Sequence, residues 1–306
     1  MRVALTGASG FIGAHAAQAL AQEGHQVVAL VRPTSRTDHI ASAVERFVVG
    51  DHADRACWRE LLRDVDALVH NSLDRAPLDA GDLQAHLRSN LEASILLLDE
   101  ARSLGVRRLV FVSSVAVHHR ILPRWKGLVD EDHPTRPRSW YGAYKAAVED
   151  HLWALGHQFS LHVAALRPAA VYGLDPRLER SHGHEQVRRL LAGEPVHWRD
   201  FPGGGKWVHV EDVALAIVRA AERDEAGGQP FHLADCYAKF TRFGELAAEL
   251  LGLPASMVDP DPSPPARNRF DKTAARETLS VPLDRGEAGL REHVRQLIDA
   301  VKARQA

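Results

Sequence analysis

"TGASGFIG", Thr6–Gly13, places three glycines at a spacing of three directly after the apolar run "RVALT" (2–6). A glycine inside a helix costs about 0.5–1 kcal/mol relative to alanine. Three so close together mark positions where a side chain is not tolerated. The stretch reads as strand, tight turn and helix, the helix covering about 11–23. Gly7 permits the turn, Gly10 lets a ligand approach bare backbone, and Gly13 allows close helix–sheet packing. The free N–H groups at that helix start, with the helix dipole behind them, favour an anion. The expected anion is the pyrophosphate of a dinucleotide.

Outward from this turn, short apolar runs alternate with helical patterns. "QVVALV" (26–31), "RFVVG" (46–50), "DALVH" (66–70), "RRLVFVSS" (107–114) and "LHVAALRP" (161–168) read as strands covered on both faces. Helical stretches are expected at about 54–63, 80–104 and 141–157, then at 211–224 before a last strand at 230–234. The alternation predicts an α/β fold, a doubly wound parallel (Rossmann) sheet. The tail from 236 reads as mostly helical, broken by "DPDPSPP" (259–265), which cannot be helix interior. The predicted division is a dinucleotide-binding domain of 1–173 plus 206–235. A smaller C-terminal substrate lobe takes 174–205 plus 236–306.

The net charge of −2 gives no basic field for nucleic acid, and no apolar run is long enough for a bilayer. Two distant cysteines, Cys57 and Cys236, offer neither a disulfide framework nor a metal pair. The expectation is a cytoplasmic protein with no membrane partner and no resident metal. "SHGHE" sets His182 and His184 two apart, but no third ligand is evident.

An acidic residue holding the adenosine ribose is expected about 20 residues after the glycines. In "ALVRPTSR", Arg32 stands there instead, followed by Thr34, Ser35 and Arg36. A guanidinium suits a ribose 2′-phosphate, so NADP is expected over NAD.

"YGAYK" places Tyr141 and Lys145 four apart, on one face of a helix. A nearby ammonium favours the phenolate, so the pair is expected to lower the tyrosine pKa and supply a proton donor and acceptor. Ser113 and Ser114 end the fifth strand, on the edge where ligands bind in such sheets.

Together with "VVGDHAD", "SNLEAS", "FVSSVAV", "RPAAVYG", "HVEDVA" and "DKTAARETL", these motifs resemble the extended short-chain dehydrogenase/reductase family, also called the NAD-dependent epimerase/dehydratase family. The resemblance spans nearly the whole chain. It implies that Tyr141 is the acid/base, Lys145 its electrostatic partner and ribose ligand, Ser114 the substrate-oxygen ligand and Asn90 a supporting residue. It places Asp51 near the adenine, with His52 beside it. It also sets Ser9, Phe11 and Ile12 of the turn, Asn71, Pro168 and Val171 against the cofactor. The implied chemistry is hydride transfer between a substrate carbon and nicotinamide.

The departures narrow the branch. Val115 and Ala116 stand where sugar-nucleotide dehydratases carry an Asp-Glu pair. Ala170 and Gly205 stand where nucleotide-sugar enzymes often carry asparagine and arginine on the diphosphate, although Lys206, Arg188, Arg189 or Arg199 could substitute. The leading expectation is an NADPH-dependent carbonyl reductase. A nucleotide-sugar epimerase is the second, and a non-catalytic NADP-binding regulator the third. One of His118 and His119 is expected to line the pocket, with Trp140, Trp198 and Trp207 as candidate walls. The helices 80–104 and 141–157 resemble the pair through which family members form homodimers.

Overall fold

A computed structural model describes residues 1–266 and 268–305. The glycine turn follows strand β1 (Arg2–Thr6), and the chain continues through β2 (Gln26–Val31), β3 (Arg46–Val49), β4 (Ala67–His70) and β5 (Arg108–Val112). Two further strands, His162–Pro168 and Gln229–Leu233, complete a parallel seven-stranded sheet. Its order is Gln229–Leu233, His162–Pro168, β5, β4, β1, β2, β3. The chain winds one way from β1 to β3 and the other way from β4 on. The reversal leaves a crevice beyond the C-terminal ends of β1 and β4, the ligand position in open sheets of this kind.

The strands are apolar on both faces because both are covered. Helices Phe11–Gln22 and Val210–Glu222 pack on one side around Leu5, Val31 and Val69. Helices Ala93–Ser103 and Trp140–Phe159 pack on the other around Leu68, Leu97, Phe111 and Val148. Leu5, Leu68, Leu97 and Phe111 are fully buried, each worth about 1.5–3 kcal/mol of hydrophobic stabilisation.

A third core lies among Trp207, Phe243, Leu246, Val294 and Leu297. It is built on a small sheet in which Gly204–His209 pairs parallel with Ala170–Tyr172 and antiparallel with Cys236–Lys239. Cys236–Lys239 is a strand at the start of a tail that reads as helical. Its edge bonds to 204–207 hold it, and no alternating pattern announces it. A further two-stranded ladder joins Leu128–Val129 to Arg269–Phe270.

Two helical expectations are subdivided. The stretch 54–63 is a 3₁₀ turn, Arg55–Cys57, followed by the short helix Trp58–Leu61. The stretch 80–104 is interrupted at Gly81, whose φ of 69° is left-handed. It resumes at Leu83–His86 and widens into a π-helical turn, Leu87–Glu92, before Ala93–Ser103. Such turns often occur at functional sites.

Candidate active site

The glycine turn is held by close backbone approach. Gly7 has φ +70°, and a Cβ there would lie 3.1 Å from the Asn71 carbonyl. A Cβ on Gly13 would lie 2.0 Å from the Gly7 carbonyl oxygen. Gly10 caps the helix Phe11–Gln22 with no side-chain bond, and the first turn carries no acidic residue. Ala14 is the first to reach back, its N–H donating to the Gly10 carbonyl at 2.8 Å. The N–H groups of Phe11, Ile12 and Gly13 therefore face the crevice without intrahelical acceptors. This cradle fits the pyrophosphate of a dinucleotide.

The crevice is braced from below. Thr6 Oγ1 accepts from the N–H groups of Asn71 and Ser72 at 3.0 and 3.1 Å. Its hydroxyl is thus left to donate to His70 Nδ1 at 2.8 Å, and His70 Nε2 donates to Ser94 at 2.8 Å. Burial holds His70 neutral, well below its usual pKa. At the end of β2, Arg32 is exposed. Its N–H donates to Ser35 Oγ at 3.1 Å, and Ser35 lies 3.2 Å from Ser9 Oγ. The Arg32 loop thus sits across the glycine turn, with Arg36 exposed beyond it. Asp51 accepts from the Ala53 N–H at 2.9 Å and lies 3.3 Å from His52 Nδ1. The His52 ring packs beside His70, and burial lowers its pKa, opposed by the charge of Asp51. Pro168 ends its sheet strand and Val171 lies in the small sheet immediately after it.

Tyr141 sits in the first turn of Trp140–Phe159, capped by Ser139, whose hydroxyl accepts from the Gly142 N–H at 3.1 Å. A Cβ on Gly142 would lie 2.7 Å from the Ala116 carbonyl oxygen. That approach sets the helix against the turn that follows Ser114. The two serines separate in role. Ser113 is buried and donates to Glu149, whereas Ser114 is half-buried and caps the 3₁₀ turn Val115–His118. Tyr141, Ser139, Trp140, Leu73, Leu78 and Arg75 line a cleft of about 530 Å³. Asn90, fully buried in the π turn, accepts from the Asp74 N–H at 2.8 Å and donates to its carbonyl at 2.9 Å. It thereby fixes the loop that carries Leu73 and Arg75.

Lys145 does not lower the Tyr141 pKa in this arrangement. Burial raises Tyr141, while the Ser114 hydroxyl and the Arg75 charge offset part of the rise. The Lys145 ammonium, 5.8 Å from the Tyr141 ring centroid, is turned to the Val112 carbonyl oxygen at 2.6 Å. Burial brings its pKa down to about 7, opposed by Glu149. Glu149 is held by Arg167 through three bonds of 3.1, 3.1 and 2.7 Å, with both side chains almost fully buried. Arg167 also contacts His118 Nε2 at 3.0 Å. Glu149 stands four residues after Lys145 on the same helix, but its pairing with Arg167, 18 residues on, is not marked by any local spacing.

His118 is buried against Arg167 and His133, and burial lowers its pKa to about 3, whereas His119 is exposed. The segment is a 3₁₀ turn, so a strand-like alternation of the two rings does not apply. Of the three tryptophans, Trp140 reaches the cleft. Trp207 is fully buried, its indole donating to the Ala238 carbonyl at 3.0 Å. Trp198 lies in the 3₁₀ turn Trp198–Asp200, with Arg199 5.5 Å from its ring. Arg188 and Arg189 are engaged by Glu185 at 2.8 and 3.0 Å. Among the described residues, no group of three or more His, Cys, Asp or Glu could hold a metal ion, and no helix is long and apolar enough to cross a membrane.

The sequence profile of the NAD dependent epimerase/dehydratase family matches residues 3–234. The UDP-glucose 4-epimerase of Mycolicibacterium smegmatis is 32% identical over 305 residues, covering 91% of this chain and 92% of that one. A ketoreductase of Stigmatella aurantiaca, acting on 4-hydroxy-2-methyl-3-oxo-4-farnesyl-3,4-dihydroquinoline-1-oxide, is 30% identical over 242 residues, covering 77% of this chain and 68% of its own. Among solved structures, MoeE5 in complex with UDP-glucose and NAD superposes with a TM-score of 0.79 at 25% identity, covering 100% of both chains.

Proposed function

The chain belongs to the NAD dependent epimerase/dehydratase family, enzymes of the extended short-chain dehydrogenase/reductase type that use a nicotinamide cofactor, and from that premise we propose that it is an NADP(H)-dependent reductase of a small carbonyl compound. The bound nicotinamide would supply or accept the hydride. Tyr141 would give its proton to the substrate oxygen, which the Ser114 hydroxyl would hold. Burial keeps the Tyr141 phenol protonated, which suits a proton donor. Lys145 would hold the ribose once its ammonium leaves Val112, with Asn90 supporting the neighbouring loop.

One observation carries the choice of a reductase. A Cβ on Gly205 would lie 3.7 Å from the Ala170 Cβ. The two positions where nucleotide-sugar enzymes often place polar diphosphate ligands are therefore neighbours, and both lack a polar side chain here. Each charge-assisted contact of that kind is worth about 1.5–3 kcal/mol. The epimerase reading rests on the 32% identity to a UDP-glucose 4-epimerase over nearly the whole chain. The test incubates the enzyme with nucleotide sugars and with a panel of ketones and aldehydes, following nicotinamide absorbance and product stereochemistry together. Consumption of NADPH in step with carbonyl reduction is expected. Tight nucleotide-sugar binding with isomer exchange and no cofactor consumption would overturn the reading.

The NADP preference rests on Arg32, exposed at the end of β2 where a ribose-binding carboxylate is otherwise expected. We assign the cofactor to 1–173 plus 206–235 and the substrate to 174–205 plus 236–306. The proposed setting is a cytoplasmic homodimer, paired through the helices around 80–104 and 141–157.

A further inference from the structure

A second cavity, of about 350 Å³, is lined by Leu128, Lys206, Tyr237 and Phe270 together with residues 234–236 and 268–272. Leu128 belongs to the segment that connects Ser114 to Tyr141, and Ala234 follows the last strand of the sheet. The cavity thus lies on the C-terminal edge of the sheet, as the catalytic cleft does.

Most of its polar groups are already engaged. Asp235 accepts from the Gly286 N–H at 2.7 Å and lies 3.3 Å from the Lys272 ammonium, which also donates to the Leu283 carbonyl. Asp271 accepts from the N–H and hydroxyl of Thr273 at 2.9 and 2.7 Å. Asn268 Oδ1 accepts from the Gly127 N–H at 2.8 Å. Lys206 differs. Its ammonium stands 5.4 Å from the Phe270 ring centroid and has no carboxylate partner among the described residues. It is half-buried, and burial alone acts on its charge, lowering its pKa. Arg269 adds an exposed cation at the rim, and the charges of Lys206 and Arg138 both bear on His119. A partly desolvated, unpaired ammonium is an unfavourable arrangement unless an anion joins it.

Strand alternation puts Lys206 on the opposite face of Gly204–His209 from Gly205 and Trp207. Lys206 therefore does not replace the diphosphate ligands missing at Gly205 and Ala170. With Asp235 and Asp271 also in the wall, the site suits a single negative charge better than a dianion.

We propose that this cavity is an anion subsite for a carboxylate on the substrate, with the Lys206 ammonium on the carboxylate and Phe270 and Tyr237 against the carbon skeleton beside it. The substrate class is then a carbonyl compound that carries a carboxylic acid, an inference that rests on the reductase reading.

The test measures binding without turnover. Wild-type enzyme loaded with NADP is titrated calorimetrically with 3-phenylpropionate, its methyl ester and phenyl phosphate, alongside Lys206→Gln and Lys206→Arg. The acid is expected to bind at least tenfold more tightly than the ester. Lys206→Gln should erase that difference, and Lys206→Arg should retain it. Absence of acid binding, equal binding of acid and ester, or indifference to Lys206→Gln would overturn the proposal. Tighter binding of phenyl phosphate would overturn it in favour of a phosphate site. Because no step of the titration requires reduction, a failure here is separate from a failure of the carbonyl panel.

Discussion

The ammonium of Lys145 donates to the carbonyl oxygen of Val112 at 2.6 Å. The helix that carries Tyr141 is therefore tied to the last residue of β5, two positions before Ser114. The bond satisfies a cation that is otherwise buried among Phe111, Tyr141 and Tyr144.

Lys145 titrates at about 7 in the fold against 10.5 without burial. Below pH 7 both folded and unfolded chains hold the proton, and the full cost of burying the charge is present. Between 7 and 10.5 the unfolded chain binds more protons, so stability rises with pH. The Lys145→Met variant lacks this dependence. Its stability relative to wild type is expected to fall by about 2–3 kcal/mol between pH 6 and pH 9. Urea denaturation at the two pH values measures it, and a pH-independent difference would refute the assignment.

Tyr141→Phe removes one hydroxyl and keeps the ring. Turnover is expected to drop about 10²–10⁴-fold, the range of general acid–base catalysis, while cofactor affinity and melting temperature stay near wild type. Steady-state rates with fluorescence titration of the cofactor would check both. A loss of less than tenfold means that another group donates the proton.

Arg32→Ala should weaken NADP binding by about 10–100-fold, the equivalent of one charge-assisted contact of roughly 1.5–3 kcal/mol, and leave NAD binding almost unchanged. Parallel titrations with the two cofactors decide it. Equal losses for both would remove the basis for an NADP preference.

Gly13→Ala places a methyl group where the Gly7 carbonyl oxygen stands only 2.0 Å away. The turn must open, so the variant should lose cofactor binding and about 1–3 kcal/mol or more of stability. Thermal unfolding and NADP titration report the two effects, and wild-type values in both would contradict the close packing.

The sheet was legible because its strands are buried on both faces and therefore read as unbroken apolar runs such as "RVALT" and "QVVALV". The glycine turn was legible because its steric demand is written in residue type. Cys236–Lys239 escaped notice because a four-residue strand of mixed polarity gains its identity from the pairing with 204–207, which local pattern does not contain. The direction of the Tyr141 shift is not legible in the sequence for a related reason. Spacing put Lys145 on the right helical face, but the ammonium's choice of Val112 over the phenol depends on a strand end more than thirty residues away in sequence. The neutral His70 beneath the crevice and the Glu149–Arg167 pair are likewise products of tertiary contact.

The small sheet also bears on how such a chain can diversify. Segment 173–203 leaves from Ala170–Tyr172 and returns in Gly204–His209, the strand paired beside it. It is an excursion whose two ends are anchored on neighbouring strands. Both ends sit on the small sheet, outside the seven-stranded one, so a change of length or composition in the excursion is borne first by the third core, where Leu178, Val187 and Leu190 are buried, and not by the pairing of the parallel strands.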